Sequence, residues 1–264
     1  MIINKDKISA GLARTKLRFY AYDPQTNLLA GITSCNWVLD ALLAGNPKPL
    51  GYFDCHWYPF LHRLPHRGGV VLDVGGFRGY TAAWFAQEAQ RVFCFEADPA
   101  NQDQIADLVR VRQLGNTELV RCAVSDHKGH ATLYIKSFGG HHALAGIGES
   151  EIVECIEVPV TTLDDFVAER GIDRVALLKV DVEGFEPDVF RGAKQLFARR
   201  AIGGVLFEFS PSFYRQRGID PTMPIRILED YGYGVETPDG RGVAELDLSS
   251  GEGPRDLFAF PKKE

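Results

Sequence analysis

The sequence predicts an α/β domain in which helices cover both faces of a doubly wound, mostly parallel sheet. From Gly69 onward, short apolar segments rich in β-branched residues alternate with amphipathic segments of helical period. The apolar segments are nearly continuous in hydrophobicity, which is typical of parallel strands buried on both faces. We therefore predict one domain over residues 69–264 and an N-terminal extension over residues 1–68.

Composition and charge narrow the classes of function. The 264-residue chain has a formal net charge of -6, which argues against broad contact with nucleic acid or a membrane surface. Its five cysteines include no C-x-x-C pair, so neither a disulfide framework nor a zinc site is expected. No spacing of acids and histidines demands another metal, and none is expected. Since the sequence shows no signal-peptide core and no apolar run of about 20 residues, we expect a cytoplasmic location. A homo-oligomer is compatible with the sequence.

Hydrophobic period and capping residues place the individual elements. Strands are predicted at Val70–Val74, Arg91–Glu96, Glu118–Val124, Arg174–Asp181 and Ile202–Phe209. Helices are predicted at Tyr80–Gln90, at Asn101–Leu114, from the cap at Thr162 to about Arg170, from Pro187 onward and at Met223–Tyr231. Extended segments are predicted at Gly129–Lys136 and Ile152–Val160, and an antiparallel closing hairpin at Tyr233–Glu236 and Leu257–Phe260.

The N-terminal extension has its own pattern. An amphipathic helix is predicted over Thr33–Ala44, and a dense aromatic stretch follows at Tyr52–Phe60. These segments either pack on the main domain or form a lid over its ligand pocket, and both interpretations can hold together.

A glycine-rich loop after the first predicted strand indicates a ligand site. In a doubly wound sheet, ligands bind outside the carboxyl ends of the strands, where a following helix offers free N–H groups. The dinucleotide motif G-x-G-x-x-G does not fit the glycine spacing here, whereas D-x-G-x-x-x-G does. The acid of that pattern suits the methionyl ammonium of S-adenosylmethionine, and a tight turn without a ligand is the alternative. The candidate cofactor-binding residues of the loop are Asp73, Gly75, Gly76, Phe77, Gly79 and Tyr80.

The next two strand ends extend the candidate cofactor site. Glu96 lies where a carboxylate can accept both ribose hydroxyls of a nucleoside, with Ala97 beside it. Enzymes that bind NAD use the same device, and an exposed loop acid is the alternative interpretation. After the third strand, the backbone at Ala123 and Val124 is placed to contact an adenine edge.

Candidate catalytic residues follow the two later strands. Period-2 alternation sends Lys179, Asp181 and Glu183 to one side for as long as the strand continues. Charges at the end of a buried strand are costly unless paired or functional, so we expect Lys179 to pair with one of the two acids. Glu208 ends the next strand. His141 and His142 stand in a glycine-rich stretch that is either a substrate loop or a solvent loop.

Taken together, these motifs resemble the FkbM family of methyltransferases over Val70 to Phe209. The resemblance rests on V-L-D-V-G-G-F-R-G-Y, F-C-F-E-A-D-P followed by Asn101, C-A-V-S-D-H-K-G, V-T-T-L-D-D-F, and L-L-K-V-D-V-E-G-F-E followed by R-G-A. It implies a class I S-adenosylmethionine enzyme with a seven-stranded, Rossmann-like sheet. It also implies a small-molecule or saccharide acceptor, such as a sugar or polyketide, methylated on a hydroxyl oxygen.

The sequence departs from the family pattern at two places. Many relatives read G-A-N-x-G after the first strand, whereas Gly76 and Phe77 stand here in place of Ala and Asn. The glycine spacing survives, so cofactor binding is expected to survive. Many relatives carry a histidine after the fifth strand, whereas Ser210 occupies that place here.

The sequence therefore predicts in-line methyl transfer assisted by a base. Asp181 is the first candidate for the base, ahead of the other acids and the histidine pair, and it is also a candidate cofactor-binding residue. Two alternatives stay open at this point, a non-catalytic methyltransferase-like binding module and a Rossmann-type NAD-dependent oxidoreductase. Binding of S-adenosylmethionine rather than NAD, and turnover rather than binding alone, separate the three.

Overall fold

The computed structural model describes the backbone of residues 18–23, 28–33, 58–136, 143–144, 151–243 and 256–262, with side chains from residue 60 onward. Backbone contacts divide the chain into two compact units, residues 1–55 and residues 56–264. The strands are β1 (Arg18–Asp23), β2 (Leu28–Thr33), β3 (Val70–Val74), β4 (Arg91–Phe95), β5 (Thr117–Val120), β6 (Ala123–Val124), β7 (Gly129–Lys136), β8 (Ile152–Thr161), β9 (Val175–Val180), β10 (Ile202–Glu208), β11 (Tyr233–Glu236) and β12 (Asp256–Pro261). The helices are α1 (Tyr80–Phe85), α2 (Pro99–Val111), α3 (Leu163–Glu169), α4 (Glu186–Arg191), α5 (Lys194–Ala198), α6 (Pro211–Gln216) and α7 (Met223–Asp230), and a 3₁₀ helix spans Tyr58–Arg63.

In the first unit, β1 and β2 form an antiparallel pair with Arg18 opposite Thr33. The predicted helix over Thr33–Ala44 begins on the last residue of β2, and its remaining residues lie outside the described part of the chain. The predicted aromatic stretch is described only from Tyr58, where the 3₁₀ helix begins.

The second unit is built on a seven-stranded sheet in the order β11-β12-β10-β9-β3-β4-β5. The pairs from β10 through β5 are parallel, whereas β12 runs antiparallel to both β10 and β11. The predicted fold class is therefore confirmed, including the antiparallel closing hairpin. The carboxyl ends of β3, β4, β9 and β10 lie side by side at one edge of this sheet.

The predicted third strand over Glu118–Val124 is divided in the structure. Residues Thr117–Val120 pair with β4, whereas Ala123–Val124 leave the main sheet and pair in parallel with β8. The strand β7 pairs antiparallel with β8, as predicted, and completes a separate three-stranded sheet. The hydrophobic run alone did not show the change of sheet, because both halves are apolar enough to be strands.

Capping residues start two helices, of which the cap at Thr162 was predicted and the cap at Asp98 was not. The Thr162 hydroxyl accepts a hydrogen bond from the Asp165 N–H at 3.0 Å, and the Asp165 carboxylate accepts the hydroxyl proton of Thr162 at 2.7 Å. The Thr162 side chain therefore caps the start of α3, and Asp165 fixes the orientation of its hydroxyl. At α2, the Asp98 side chain accepts from the Ala100 N–H, with Pro99 in the first turn.

Aromatic side chains fix the sheet against its helices. Phe93 and Phe95 of β4 both meet the ring of Phe166 edge-on, at centroid distances of 5.1 and 4.7 Å. Phe190 meets Phe207 edge-on at 5.4 Å on the neighbouring part of the core. Such pairs add roughly 0.5–1.5 kcal/mol each beyond the burial of their area. The strand ends therefore project from a rigid base.

Within the described ranges, no helix is both long and apolar enough to cross a lipid bilayer.

Candidate methyl-transfer site

The loop after β3 touches the ends of both neighbouring strands. Gly75 and Gly76 donate their N–H groups to the Phe95 carbonyl oxygen of β4, at 3.1 and 2.9 Å. A Cβ atom on Gly75 would lie 1.8 Å from the backbone oxygen of Asp181, and its φ is +80°. Only glycine fits both the left-handed backbone and the close approach at this position. The loop therefore closes over the ends of β4 and β9 with its backbone.

Of the two loop positions that depart from the family pattern, the structure explains Gly76 and does not explain Phe77. A Cβ on Gly76 would lie 2.2 Å from the Sγ atom of Cys94, so an alanine does not fit while this cysteine keeps its place. Phe77 has a φ of +50°, a conformation that asparagine adopts more readily than phenylalanine. The guanidinium of Arg78 lies over the Phe77 ring, 4.9 Å from its centroid. Gly79, with a φ of +79°, then precedes the first residue of α1, Tyr80.

Glu96 is buried at the end of β4 and is surrounded by backbone N–H groups. Its Oε2 accepts from the Phe77 N–H at 2.6 Å, and its Oε1 accepts from the N–H groups of Ala97 and Asp98 at 2.9 and 2.8 Å. Burial raises the pKa of Glu96 to about 7, although these three hydrogen bonds oppose the rise and the nearby Asp98 charge adds to it. The carboxyl thus joins the loop after β3 to the loop after β4, where a nucleoside ribose is expected.

A buried lysine joins the ends of β3 and β9. Asp73 and Lys179 are neighbours in the register of these parallel strands, and the Lys179 Nζ lies 3.3 Å from Asp73 Oδ1. The same ammonium lies 3.3 Å from Asp181 Oδ2 and donates to the Gly75 carbonyl oxygen at 3.1 Å. Burial alone would lower the pKa of Lys179, but the two carboxylates outweigh it and raise the pKa well above its usual range. Lys179 is therefore a fixed cation.

Asp73 is completely buried. Besides facing Lys179, its Oδ2 accepts the hydroxyl proton of Thr81 at 2.7 Å. Asp73 therefore connects β3 to α1 and to Lys179. A contact between Asp73 and a methionyl ammonium stays a prediction.

Three of the predicted catalytic acids come together at the ends of β9 and β10. One carboxylate oxygen each from Asp181, Glu183 and Glu208 lies within 4.8 Å of the others. Burial raises the pKa of Glu208 well above its usual value, and the charges of Asp181 and Glu183 raise it further. Three carboxylates at this spacing could hold a cation or share protons. The spacing of these acids along the sequence predicted neither a cation site nor shared protons. We call these three residues the acid cluster.

Glu183 reaches the acid cluster by a route that alternation does not predict. The strand β9 ends at Val180, and Glu183 stands in a turn with a φ of +54°. The expectation that one strand face would present all three charges therefore holds for Lys179 and Asp181 only. The turn, rather than the strand, directs Glu183 toward Glu208.

Sequence reasoning missed two buried residues near the acid cluster, Lys136 and Glu186. Lys136, the last residue of β7, is 3% exposed, and its interaction with the Glu183 charge opposes the fall in pKa that burial causes. Glu186 and Tyr214 are completely buried on α4 and α6. The visible signal was a charged residue in an otherwise apolar segment, which alone does not reveal the neighbour that it faces.

The remaining predicted site residues either do not belong to the acid cluster or lie outside the residues that the structure describes. Ala123 and Val124 are buried in β6, and their contact with an adenine stays a prediction. His141 and His142 lie outside the described residues.

Residues 73–235, which are more than half of the chain, match the family model described as the methyltransferase FkbM domain. The chain belongs to the FkbM methyltransferase family. The predicted resemblance is therefore confirmed, and with it the prediction of an S-adenosylmethionine-dependent methyltransferase.

The chain is also similar to individual proteins. The chain is 28% identical over 177 residues to the 2-O-methyltransferase NoeI of Sinorhizobium fredii, an alignment of 61% of this chain and 70% of that protein. Among solved structures, it resembles the methyltransferase FkbM from Methylobacillus flagellatus KT with a TM-score of 0.45 and 15% identity, over 74% of this chain and 44% of that one. It also resembles Aeropyrum pernix fibrillarin, solved with S-adenosyl-L-methionine, with a TM-score of 0.40 and 16% identity, over 74% of this chain and 68% of that one. The chain thus spans less than half the length of the solved FkbM protein.

Proposed function

We propose that the chain methylates a hydroxyl oxygen of a saccharide or a related small molecule. The observation that carries the proposal is the acid cluster at the ends of β9 and β10, directly beside the glycine loop after β3. A hydroxyl loses its proton when it is methylated, so a carboxylate at the point of transfer assists the reaction. The name of the relative NoeI, a 2-O-methyltransferase, points to the same chemistry.

The residues around the loop fit the methyl donor. Gly75 approaches the Asp181 carbonyl so closely that no side chain stands between the loop and β9. Glu96 lies against the Phe77 N–H, where it can meet ribose hydroxyls. When bound there, S-adenosylmethionine supplies a sulfonium methyl group, and the transfer of that group to a hydroxyl releases one proton.

Asp181 is the carboxylate best placed to take that proton. Its side chain is 42% exposed, and Lys179 holds it at 3.3 Å from the buried side. Glu208 is less suited to the role of base, because its raised pKa keeps it protonated further toward neutral pH. A protonated Glu208 can instead donate a hydrogen bond to an acceptor oxygen. General-base assistance of this kind is worth about 10²- to 10⁴-fold in rate.

Labelled methyl transfer tests the proposal. The protein is incubated with S-adenosylmethionine carrying a deuterated methyl group and with pools of saccharides and small metabolites. Fragmentation of the products by mass spectrometry then locates the label. We expect the label on a hydroxyl oxygen as an ether. Label on nitrogen or carbon would contradict the proposal, and binding of the donor without transfer to any pool would favour a non-catalytic module.

We also propose a cytoplasmic location and an acceptor that is neither nucleic acid nor membrane. The net charge of -6 supports the second statement. Free cysteines at Cys94, Cys122 and Cys155 support the first, since a reducing compartment keeps thiols unpaired.

A further inference from the structure

Glu186 holds the turn that carries two members of the acid cluster. Its side chain is completely buried in the first turn of α4. Its Oε1 accepts hydrogen bonds from the N–H groups of Val182 and Gly184, at 3.1 and 3.3 Å. These two amides flank Glu183, which has a left-handed backbone that costs a non-glycine residue roughly 1 kcal/mol. The Glu186 carboxyl therefore holds the turn in the conformation that directs Glu183 toward Glu208.

Tyr214 lies near the same carboxyl and contacts the neighbouring strand end. It is completely buried on α6, and its hydroxyl donates to the backbone oxygen of Glu208 at 3.2 Å. Burial raises the pKa of the Tyr214 phenol, and the nearby charge of Glu186 raises it further. Tyr214 therefore lies between the turn after β9 and the end of β10.

We propose that Glu186 is a positioning residue of the methyl-transfer site, which together with Tyr214 fixes Glu183 against Glu208 and adjusts the charge of Glu208. Neither residue contacts the acceptor in the proposed reaction. Glu186 acts through the turn amides and through its own negative charge, while Tyr214 transmits the restraint to β10.

Glu186 and Glu208 lie among charged side chains that are mostly acidic. Burial raises the pKa of Glu186 to about 7, although its hydrogen bonds to the turn oppose the rise. The other ionisable groups that act on Glu208 are Asp181 and Glu183 after β9 and Asp256 at the start of β12, all of them acidic. Lys179 pairs with Asp181, and Lys136 interacts with the charge of Glu183. The guanidinium of Arg217 donates to the Gly184 carbonyl oxygen and to the Asp188 carboxylate, at 2.6 Å each. Ionised Glu186 therefore adds one more negative charge to an acidic group of side chains and raises the pKa of Glu208.

Carbon-13 NMR of the protein labelled at its glutamate carboxyl groups tests the inference. The signals of Glu186 and Glu208 are assigned by loss of each signal in Glu186→Gln and Glu208→Gln. The Gln side chain keeps the shape of Glu186 and an oxygen for the two turn amides, but it carries no charge. The control is Glu229→Gln, which changes an exposed residue of α7.

We expect one glutamate to titrate near pH 7 and to disappear in Glu186→Gln. In that variant the titration midpoint of Glu208 should fall by roughly one pH unit, because a neighbouring negative charge is gone. Tyr214→Phe should also move the Glu208 midpoint, whereas Glu229→Gln should leave it unchanged. A Glu208 midpoint that stays in place in both Glu186→Gln and Tyr214→Phe would overturn the inference, whatever the stability of those variants.

The inference rests on the acid cluster of the proposed function, but the titration needs neither acceptor nor turnover. A failure to find a methylated saccharide therefore leaves its result standing. Calorimetry with S-adenosylmethionine adds a second measurement, in which Glu186→Gln should bind the donor within about threefold of the wild type because Glu186 lies outside the glycine loop. A loss of donor affinity well beyond that range would instead assign Glu186 to the cofactor site and contradict the positioning role.

Discussion

The buried carboxyl of Glu186 makes stability depend on pH in a way that one substitution should remove. Burial raises its pKa from 4.5 to about 7 in the folded protein. An acid with a raised pKa binds its proton more tightly in the folded state than in the unfolded state. The folded protein therefore loses stability as the pH rises from about 4.5 to about 7, and no further loss from this group follows above that range.

The size of the effect follows from the shift. A rise from 4.5 to about 7, at about 1.4 kcal/mol for each pH unit, corresponds to roughly 3 kcal/mol of stability lost between those pH values. The group is completely buried, so solvent screening does not reduce this figure much. Glu186→Gln has no proton to lose. We therefore expect the difference in unfolding free energy between the wild type and the variant to move by about 2–3 kcal/mol in favour of the variant between pH 5 and pH 8.

Urea unfolding of both proteins at several pH values measures this difference. Glu96, whose pKa is also raised, titrates in both proteins and largely cancels in the comparison, whereas the lower pKa expected for Glu208 in the variant changes the difference in the same direction. The exposed Glu229→Gln provides the control and should show no such trend. The difference in unfolding free energy between the wild type and Glu186→Gln could instead stay constant from pH 5 to pH 8. That result would mean that Glu186 ionises equally in the folded and unfolded states, and the raised pKa would be wrong.

Three further predictions concern the cofactor loop and the frame around it. Gly75→Ala places a Cβ where the Asp181 carbonyl oxygen already lies, 1.8 Å away, and calorimetry should detect no binding of S-adenosylmethionine. Binding at wild-type affinity would show that the loop adapts more easily than its packing indicates. Glu96→Ala removes the carboxyl that joins the two loops, and its donor affinity should fall by about tenfold or more, with an unchanged dissociation constant counting against a ribose contact. Thr162→Ala removes the cap of α3 and should cost about 1 kcal/mol in urea unfolding without changing donor affinity.

Much of the fold could be predicted because its signals are local. The cap at Thr162 and the proline in the first turn of α4 can be predicted from neighbouring residues. The end of β5 could not, since the segment after Val120 is also apolar and only its pairing with β8 takes it out of the main sheet. Strand propensity does not state which partner a strand will choose.

The candidate site shows the same division between local and long-range information. Alternation along β9 correctly placed Lys179 beside Asp181. The second partner of that lysine, Asp73, depends on the register between β3 and β9, which no local pattern specifies. Likewise, the glycine at position 76 is explained by Cys94, a residue of the next strand. Residues that act across strands, such as Glu186, become visible only when the sheet is assembled.

In the proposed reaction, Asp181 takes the proton of a hydroxyl acceptor at the end of β9. Single-turnover methyl transfer tests it most directly, with the acceptor found by labelling and with three variants, Asp181→Asn, Glu208→Gln and the exposed control Asp103→Asn. We expect a loss of about 10²- to 10⁴-fold in rate for Asp181→Asn with donor affinity retained, and no change for the control. A near-normal rate in Asp181→Asn would contradict the role of Asp181 as base, and near-normal rates in both Asp181→Asn and Glu208→Gln would exclude both carboxylates from it.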